Sequence, residues 1–232
     1  MRSSKWRALG NTYLLVEPGA EPLDATRVRE LSRETDGVLE VVSEEPSRLE
    51  IIIWNPDGSR AELSGNGTRI AVAWLAERAG VREVEVVAAG RVVPARILET
   101  GEIEQDLGDF EVASPEVLDG VTFVAVSVGN PHAVVVGDPA EIEQLGPLLE
   151  SHPRFPNRTN VQVVRIDGPG EVTARVWERG VGETLSSGTS AVAVAAATHG
   201  DGDVLVHFPG GDLRVRLESG RAMLTGSAER VG

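Results

Sequence analysis

Two serines occupy matched places in this chain. Ser64-Gly65 and Ser187-Gly188 lie 123 residues apart, and each follows a tryptophan, Trp54 or Trp177, at a distance of ten residues. Each also precedes an apolar run, Ile70-Ala71-Val72-Ala73-Trp74 after the first and Ala191-Val192-Ala193-Val194-Ala195 after the second. Both blocks read as a strand, a Gly-rich turn, Ser-Gly and a buried helix, which makes a two-copy repeat. The first N–H groups of a helix have no acceptor within the helix and sit at the positive end of its dipole. Two such starts facing each other would hold an anion. A carboxylate or an enolate-like oxygen fits that chemistry. A phosphate fits less well, because neither turn ends in the Gly-Lys-Ser/Thr of a P-loop. Serine is also among the best N-cap residues, so each Ser-Gly has a plain structural explanation as a helix cap.

Other polar turns accompany these serines. Gly129-Asn130-Pro131-His132 follows an apolar strand, Asn157-Arg158-Thr159-Asn160 precedes another, and Trp177-Glu178-Arg179-Gly180 lies just ahead of the second Ser-Gly. Taken singly, each is explained by the tolerance of Asn and Gly for positive φ and by the bend that Pro imposes. Composition removes several chemistries. The 232 residues include no cysteine, so there is no disulfide framework, zinc ribbon or thiol nucleophile. Lys5 is the only lysine and lies in a charged N-terminal stretch, which argues against a pyridoxal phosphate Schiff base. His152, His199 and His207 have no metal-ligand spacing and read as structural. A net charge of −14 repels phosphate backbones, so nucleic acid is not an expected partner. No apolar run has the length of a bilayer span and residues 1–17 lack signal-peptide character, so the expected location is the cytoplasm, with no membrane partner.

The elements that must position these residues are mostly strands. Strand patterns run over 14–16, 48–54, 84–88, 92–97, 121–128, 133–136, 161–166, 172–177, 204–208 and 213–217. Helical patterns cover 24–33, with Asp24 as N-cap, then 68–79, 139–151 and 189–198. Strands outnumber helices without regular alternation, which argues for α+β. The acidic, Gly-containing stretch 99–120 reads as the seam between two halves. Trp54 and Trp177 read as core anchors of their strands.

Ordered along the chain, the stretches Ala8-Leu9-Gly10-Asn11, Asn55-Pro56-Asp57-Gly58-Ser59, Ser64-Gly65-Asn66-Gly67 with Arg69, and Gly129-Asn130-Pro131-His132 are joined by 155–161, 177–185, Gly188-Thr189 and Pro209-Gly210-Gly211-Asp212-Leu213. The set resembles the diaminopimelate epimerase family of cofactor-independent amino-acid racemases over nearly the whole chain. The resemblance implies an α+β fold of two pseudo-symmetric domains, each a curled sheet around a central helix, with the active site between them. The first domain is expected over 1–107 plus a returning strand at 222–232, and the second over 108–221. The implied activity is interconversion of LL- and meso-diaminopimelate for lysine and peptidoglycan synthesis. It would proceed by two-base α-proton transfer with no cofactor and no metal, on a small amino-acid substrate. A homodimer is compatible with these expectations.

By the same resemblance, Ser64 and Ser187 stand where the family has its two acid/base cysteines, with His132 assisting the first and Glu178 the second. Asn11, Asn55, Asn130, Asn160, Glu178 and Arg179 match substrate-binding positions, and Gly65-Asn66 with Gly188-Thr189 match the carboxylate cradle. A serine hydroxyl is a far weaker acid than a thiol, and base efficiency depends on a pKa near the working pH, so the two serines imply reduced activity. The family also has a longer Gly-rich segment after its first helix, of which 33–37 keeps only the tail. Three readings therefore stand beside one another: diaminopimelate epimerase; a racemase, epimerase or lyase on another amino acid; and an amino-acid-binding homologue without catalysis.

Overall fold

A computed structural model describes residues 2–19 and 21–231; Met1 and Gly232, at the outer ends of the expected domain ranges, lie outside the described residues. The chain divides into two compact units, one of residues 1–106 with 225–232 and one of residues 107–224.

In the first unit, strands Ser3–Ala8 and Asn11–Val16 form an antiparallel hairpin. Helix α1, Ala25–Leu31, then leads to Gly37–Glu45, which lies parallel to Asn11–Val16. Asp24 caps α1 by accepting the Arg27 N–H at 2.7 Å, as its position ahead of the apolar pattern requires. Arg48–Trp54 returns antiparallel, and the short strand Arg60–Ala61 leads into α2, Gly65–Ala79. Glu83–Ala88 follows parallel to Arg48–Trp54, with Arg91–Ile97 and Ile103–Asp109 beyond it.

The second unit repeats that order. Val121–Ser127 and Pro131–Val136 pair antiparallel, and a 3-10 turn with helix α3, Ile142–Glu150, leads to Asn160–Gly168, parallel to Pro131–Val136. Glu171–Glu178 returns antiparallel, and the short strand Gly182–Thr184 leads into α4, Gly188–Thr198. Gly202–Phe208 is parallel to Glu171–Glu178, and Gly211–Glu218 pairs with it antiparallel.

Helices α2 and α4 are the central elements. Each packs against several strands of its own unit, so its sheet curls around it. Helix α4 is apolar nearly all round, as a helix buried on every side must be, whereas α2 is apolar through its middle, with buried polar residues near its start and Glu77 and Arg78 exposed at its end. In α2, Ile70, Ala71, Val72 and Leu75 are fully buried among Leu15, Leu39, Leu49 and Ile51. In α4, the side chains from Ala191 to Ala195 are only Ala and Val, which lets the strands approach closely.

The division between the two units, between residues 106 and 107, falls within the stretch 99–120. That stretch also contains the strand Ile103–Asp109, which runs from the first unit into the second and whose Ile103, Gln105 and Leu107 are buried on one face. The polar Gln105 interrupts the apolar alternation that would have marked it. Helix α2 also begins three residues earlier than the pattern from Thr68 suggests, because Gly65 and Gly67 weaken the signal of its first turn. No helix among the described residues is long and apolar enough to cross a membrane.

Candidate active site

The two Ser-Gly turns are built alike and used differently. Ser64 (φ −138°, ψ 115°) and Ser187 (φ −148°, ψ 129°) are both extended N-cap residues of the central helices. Ser64 Oγ accepts the Gly67 N–H at 3.0 Å, the bond expected of a capping serine. Ser187 makes no such bond, although it is buried and its carbonyl accepts the Ala191 N–H at 3.0 Å. Capping therefore accounts for the first hydroxyl and leaves the second without that explanation.

In the first unit, Tyr13 Oη lies 3.2 Å from Ser64 Oγ. Asn66 is buried and turns back along the helix to accept from Arg69 Nη2. Arg69 is fully buried, and its Nε and Nη1 have no partner. Burial pulls its pKa down to about 9 against the opposing influence of Tyr13, so the guanidinium stays charged at neutral pH. The Gln105 amide, 2.6 Å from Thr68 Oγ1, closes the inner side of this first turn. Asn11 is buried at the start of its strand. The Asn55 side chain donates to Ser59 Oγ at 2.9 Å and shapes the 55–59 turn.

In the second unit, one hydrogen-bonded chain links five polar side chains. Gln162 Nε2 lies 2.9 Å from Ser190 Oγ and 3.0 Å from His132 Nδ1. His132 Nε2 meets Asn130 Oδ1 at 2.9 Å, and Asn130 Nδ2 donates to Thr189 Oγ1 at 3.3 Å. Burial pushes His132 down to about 3, which keeps the ring neutral. Asn160 donates to the Pro131 carbonyl at 3.0 Å and accepts the Arg179 N–H at 3.0 Å, so it ties the 129–132 turn to the 177–180 turn. Glu178 Oε1 accepts from Thr184 Oγ1 at 2.6 Å. The structure thus gathers Asn130, His132, Asn160 and Thr189 around the start of α4, with the backbone of Arg179 joined to Asn160.

Glu150 was not among the residues the sequence marked. Its carboxylate accepts Trp177 Nε1 at 2.8 Å, Gly180 N–H at 2.7 Å and Arg158 Nη1 at 3.0 Å. Glu40 holds Trp54 similarly in the first unit, at 2.9 Å. Each tryptophan is therefore a strand anchor whose indole N–H is fixed by a carboxylate. The other histidines serve local structure: His199 faces the Gly168 carbonyl at 3.1 Å, and His207 lies between Asp212 and Glu171, each at 2.8 Å.

A repeated curled sheet around a buried helix, with a serine at each helix start, defines a two-unit α+β protein. The structure superposes on a hydroxyproline epimerase from Agrobacterium vitis with a TM-score of 0.71 at 15% identity, covering 99% of this chain and 89% of that one. The family model for diaminopimelate epimerase matches residues 124–231. A diaminopimelate epimerase from Desulforudis audaxviator is 37% identical, covering 100% of this chain and 97% of the relative. Another from Methanothermobacter thermautotrophicus is 34% identical, covering 91% and 88%. The chain belongs to the diaminopimelate epimerase family.

Proposed function

We propose that the protein interconverts LL- and meso-diaminopimelate by removing and returning a proton at one α-carbon, in lysine biosynthesis and in the cytoplasm. Ser64 and Ser187 are the acid/base positions. The N–H groups at Gly65-Asn66 and Gly188-Thr189 receive the substrate carboxylate, aided by the positive ends of α2 and α4, and stabilise charge as the α-carbon becomes planar. Asn11, Asn55, Asn130, Asn160, Glu178 and Arg179 shape or line the substrate site, and no cofactor or metal takes part.

The observation that carries this reading is Ser187: a buried hydroxyl at the start of a central helix, repeated from Ser64, with no capping bond to explain it. The identity to diaminopimelate epimerases over the full chain supports the substrate.

The test is incubation with LL- or meso-diaminopimelate in deuterated water, followed by NMR of the α-proton. Deuterium uptake with isomer interconversion is expected. Saturable binding without uptake, both here and in a Ser64→Cys/Ser187→Cys chain, would overturn catalysis and leave an amino-acid-binding protein.

A further inference from the structure

Tyr13 is the single tyrosine of the chain, and its placement is unusually determined. Its strand partner across the parallel pairing is Gly37, where an added Cβ would lie 2.7 Å from Tyr13 Cε1 and 2.5 Å from the Trp54 carbonyl. The ring therefore crosses a position where only glycine fits. Asp36 clamps the neighbouring residue twice, its carboxylate accepting the Thr12 N–H at 2.7 Å and its own N–H donating to the Thr12 carbonyl at 2.7 Å. The Asp36-Gly37 pair thus seats Tyr13 with its hydroxyl 3.2 Å from Ser64 Oγ.

The surroundings suit a phenol that exchanges a proton with that serine. Ser64 Oγ already accepts the Gly67 N–H, so one lone pair is engaged and its hydrogen is available to Tyr13. Arg69, just past the first turn of α2, places a buried positive charge with two unpartnered nitrogens near this helix start. A nearby cation favours the ionised form of an acid, and a phenol at about 10 starts much closer to neutrality than an aliphatic alcohol.

We propose that Tyr13 is the positioning residue and proton partner of Ser64, making a tyrosine–serine pair serve where a single thiol would serve otherwise. This rests on the α-proton transfer proposed above. In the forward step, Ser64 Oγ takes the substrate α-proton as its own hydroxyl proton passes to the Tyr13 phenolate. The products are a neutral phenol, a serine hydroxyl carrying the substrate proton, and the α-carbanion. The reverse sequence returns a proton to carbon and restores the phenolate, so atoms and charge balance.

Four chains test the pair, all carrying Ser187→Cys so that the opposite proton transfer has a thiol: the parent at 64 and 13, Tyr13→Phe, Ser64→Cys, and both. Tyr13→Phe keeps the ring over Gly37 and removes only the hydroxyl. With Ser64 present, Tyr13→Phe is expected to lower kcat for deuterium uptake at least tenfold while KM stays within twofold, in keeping with the size of general acid–base contributions. With Ser64→Cys, the same change is expected to cost less than threefold, because a thiol ionises without help. Equal losses in the two backgrounds, or no loss with Ser64, would overturn the pairing. So would a Ser64 chain that is silent while the Ser64→Cys chain exchanges, and in that case position 64 would stand as an acid/base position while the serine there would not serve as the base. Silence in all four chains would overturn the reaction itself and this inference with it.

Discussion

Gln162 places its amide nitrogen 3.0 Å from His132 Nδ1, which makes that ring nitrogen the acceptor and puts the proton on Nε2, facing Asn130 Oδ1 at 2.9 Å. Both ring nitrogens are engaged, and the ring is 1% exposed. In this state His132 aligns Asn130, whose amide then reaches Thr189 in the first turn of α4. The interior of a strand thereby controls the polar groups at a helix start.

That arrangement predicts a pH dependence of stability. His132 is held neutral, with its pKa pushed by burial from the ordinary 6.5 to about 3. Between those values the unfolded chain binds a proton that the folded chain does not. Stability is therefore lost as pH falls from about 6.5 towards 3, with this one group contributing up to about 1.4 kcal/mol per pH unit. In chemical denaturation between pH 6 and pH 4, His132→Gln should show a shallower pH dependence than the parent by up to about one proton. Identical slopes would contradict a neutral buried ring.

The two serines should separate in stability and agree in activity. Ser64→Ala removes a capping acceptor and should cost about 1 kcal/mol, the usual worth of a helix N-cap. Ser187→Ala removes a hydroxyl that makes no capping bond and should cost less than half of that. Both should reduce deuterium uptake from solvent into diaminopimelate at least tenfold. Urea midpoints measured beside exchange rates decide it: equal destabilisation would mean that Ser187 also acts as a cap.

The serines were legible in the sequence because a repeat at a fixed spacing marks them, and the topology of each unit explains the repeat. A short strand and a tight turn must deliver each central helix at the same point of the sheet. Tyr13, Gln162 and Glu150 were not legible in this way, and Arg69 was marked only by its place beside the Ser64-Gly65-Asn66-Gly67 stretch. Their roles arise from contacts across the fold, such as Tyr13 with a serine 51 residues away and Gln162 with a histidine 30 residues away. The other available signal was a polar side chain inside an apolar run, as with Arg69 before Ile70-Ala71-Val72 and Gln162 between Val161 and Val163. The same polar substitution hid the strand at Gln105, where hydrogen-bonding capacity inside the core replaced the expected aliphatic residue.

Glu150 offers a test of how the 177–180 turn is held. Hydrogen bonds from Trp177, Gly180 and Arg158 hold its carboxyl below the ordinary carboxylate range, with burial opposing them. A depressed folded value means that its contribution is present above the unfolded pKa and is lost as pH falls through the folded one. Glu150→Gln keeps the shape but offers one acceptor oxygen in place of two. It should cost about 2 kcal/mol, the scale of charge-assisted hydrogen bonds, and should raise KM for diaminopimelate, because Glu178 and Arg179 sit within the loosened turn. A stable variant with unchanged KM would show that Asn160 alone fixes this turn.

Replacing the serines by thiols asks whether the site is otherwise complete. A thiol has a few per cent thiolate at neutral pH, whereas a serine hydroxyl has essentially no alkoxide, and each pKa unit of mismatch is worth about 1.4 kcal/mol. Ser64→Cys/Ser187→Cys should therefore raise the rate of α-proton exchange at pH 7 at least a hundredfold. The gain should be largest when both are changed, since epimerisation needs removal of the proton on one side and its return on the other. Each single replacement should give less than a tenth of the double replacement's rate. If the double variant folds, binds diaminopimelate and still exchanges no faster than the parent, then Ser64 and Ser187 are not the acid/base positions. The buried network of His132, Asn130 and Thr189 would then have to be read as a binding site alone.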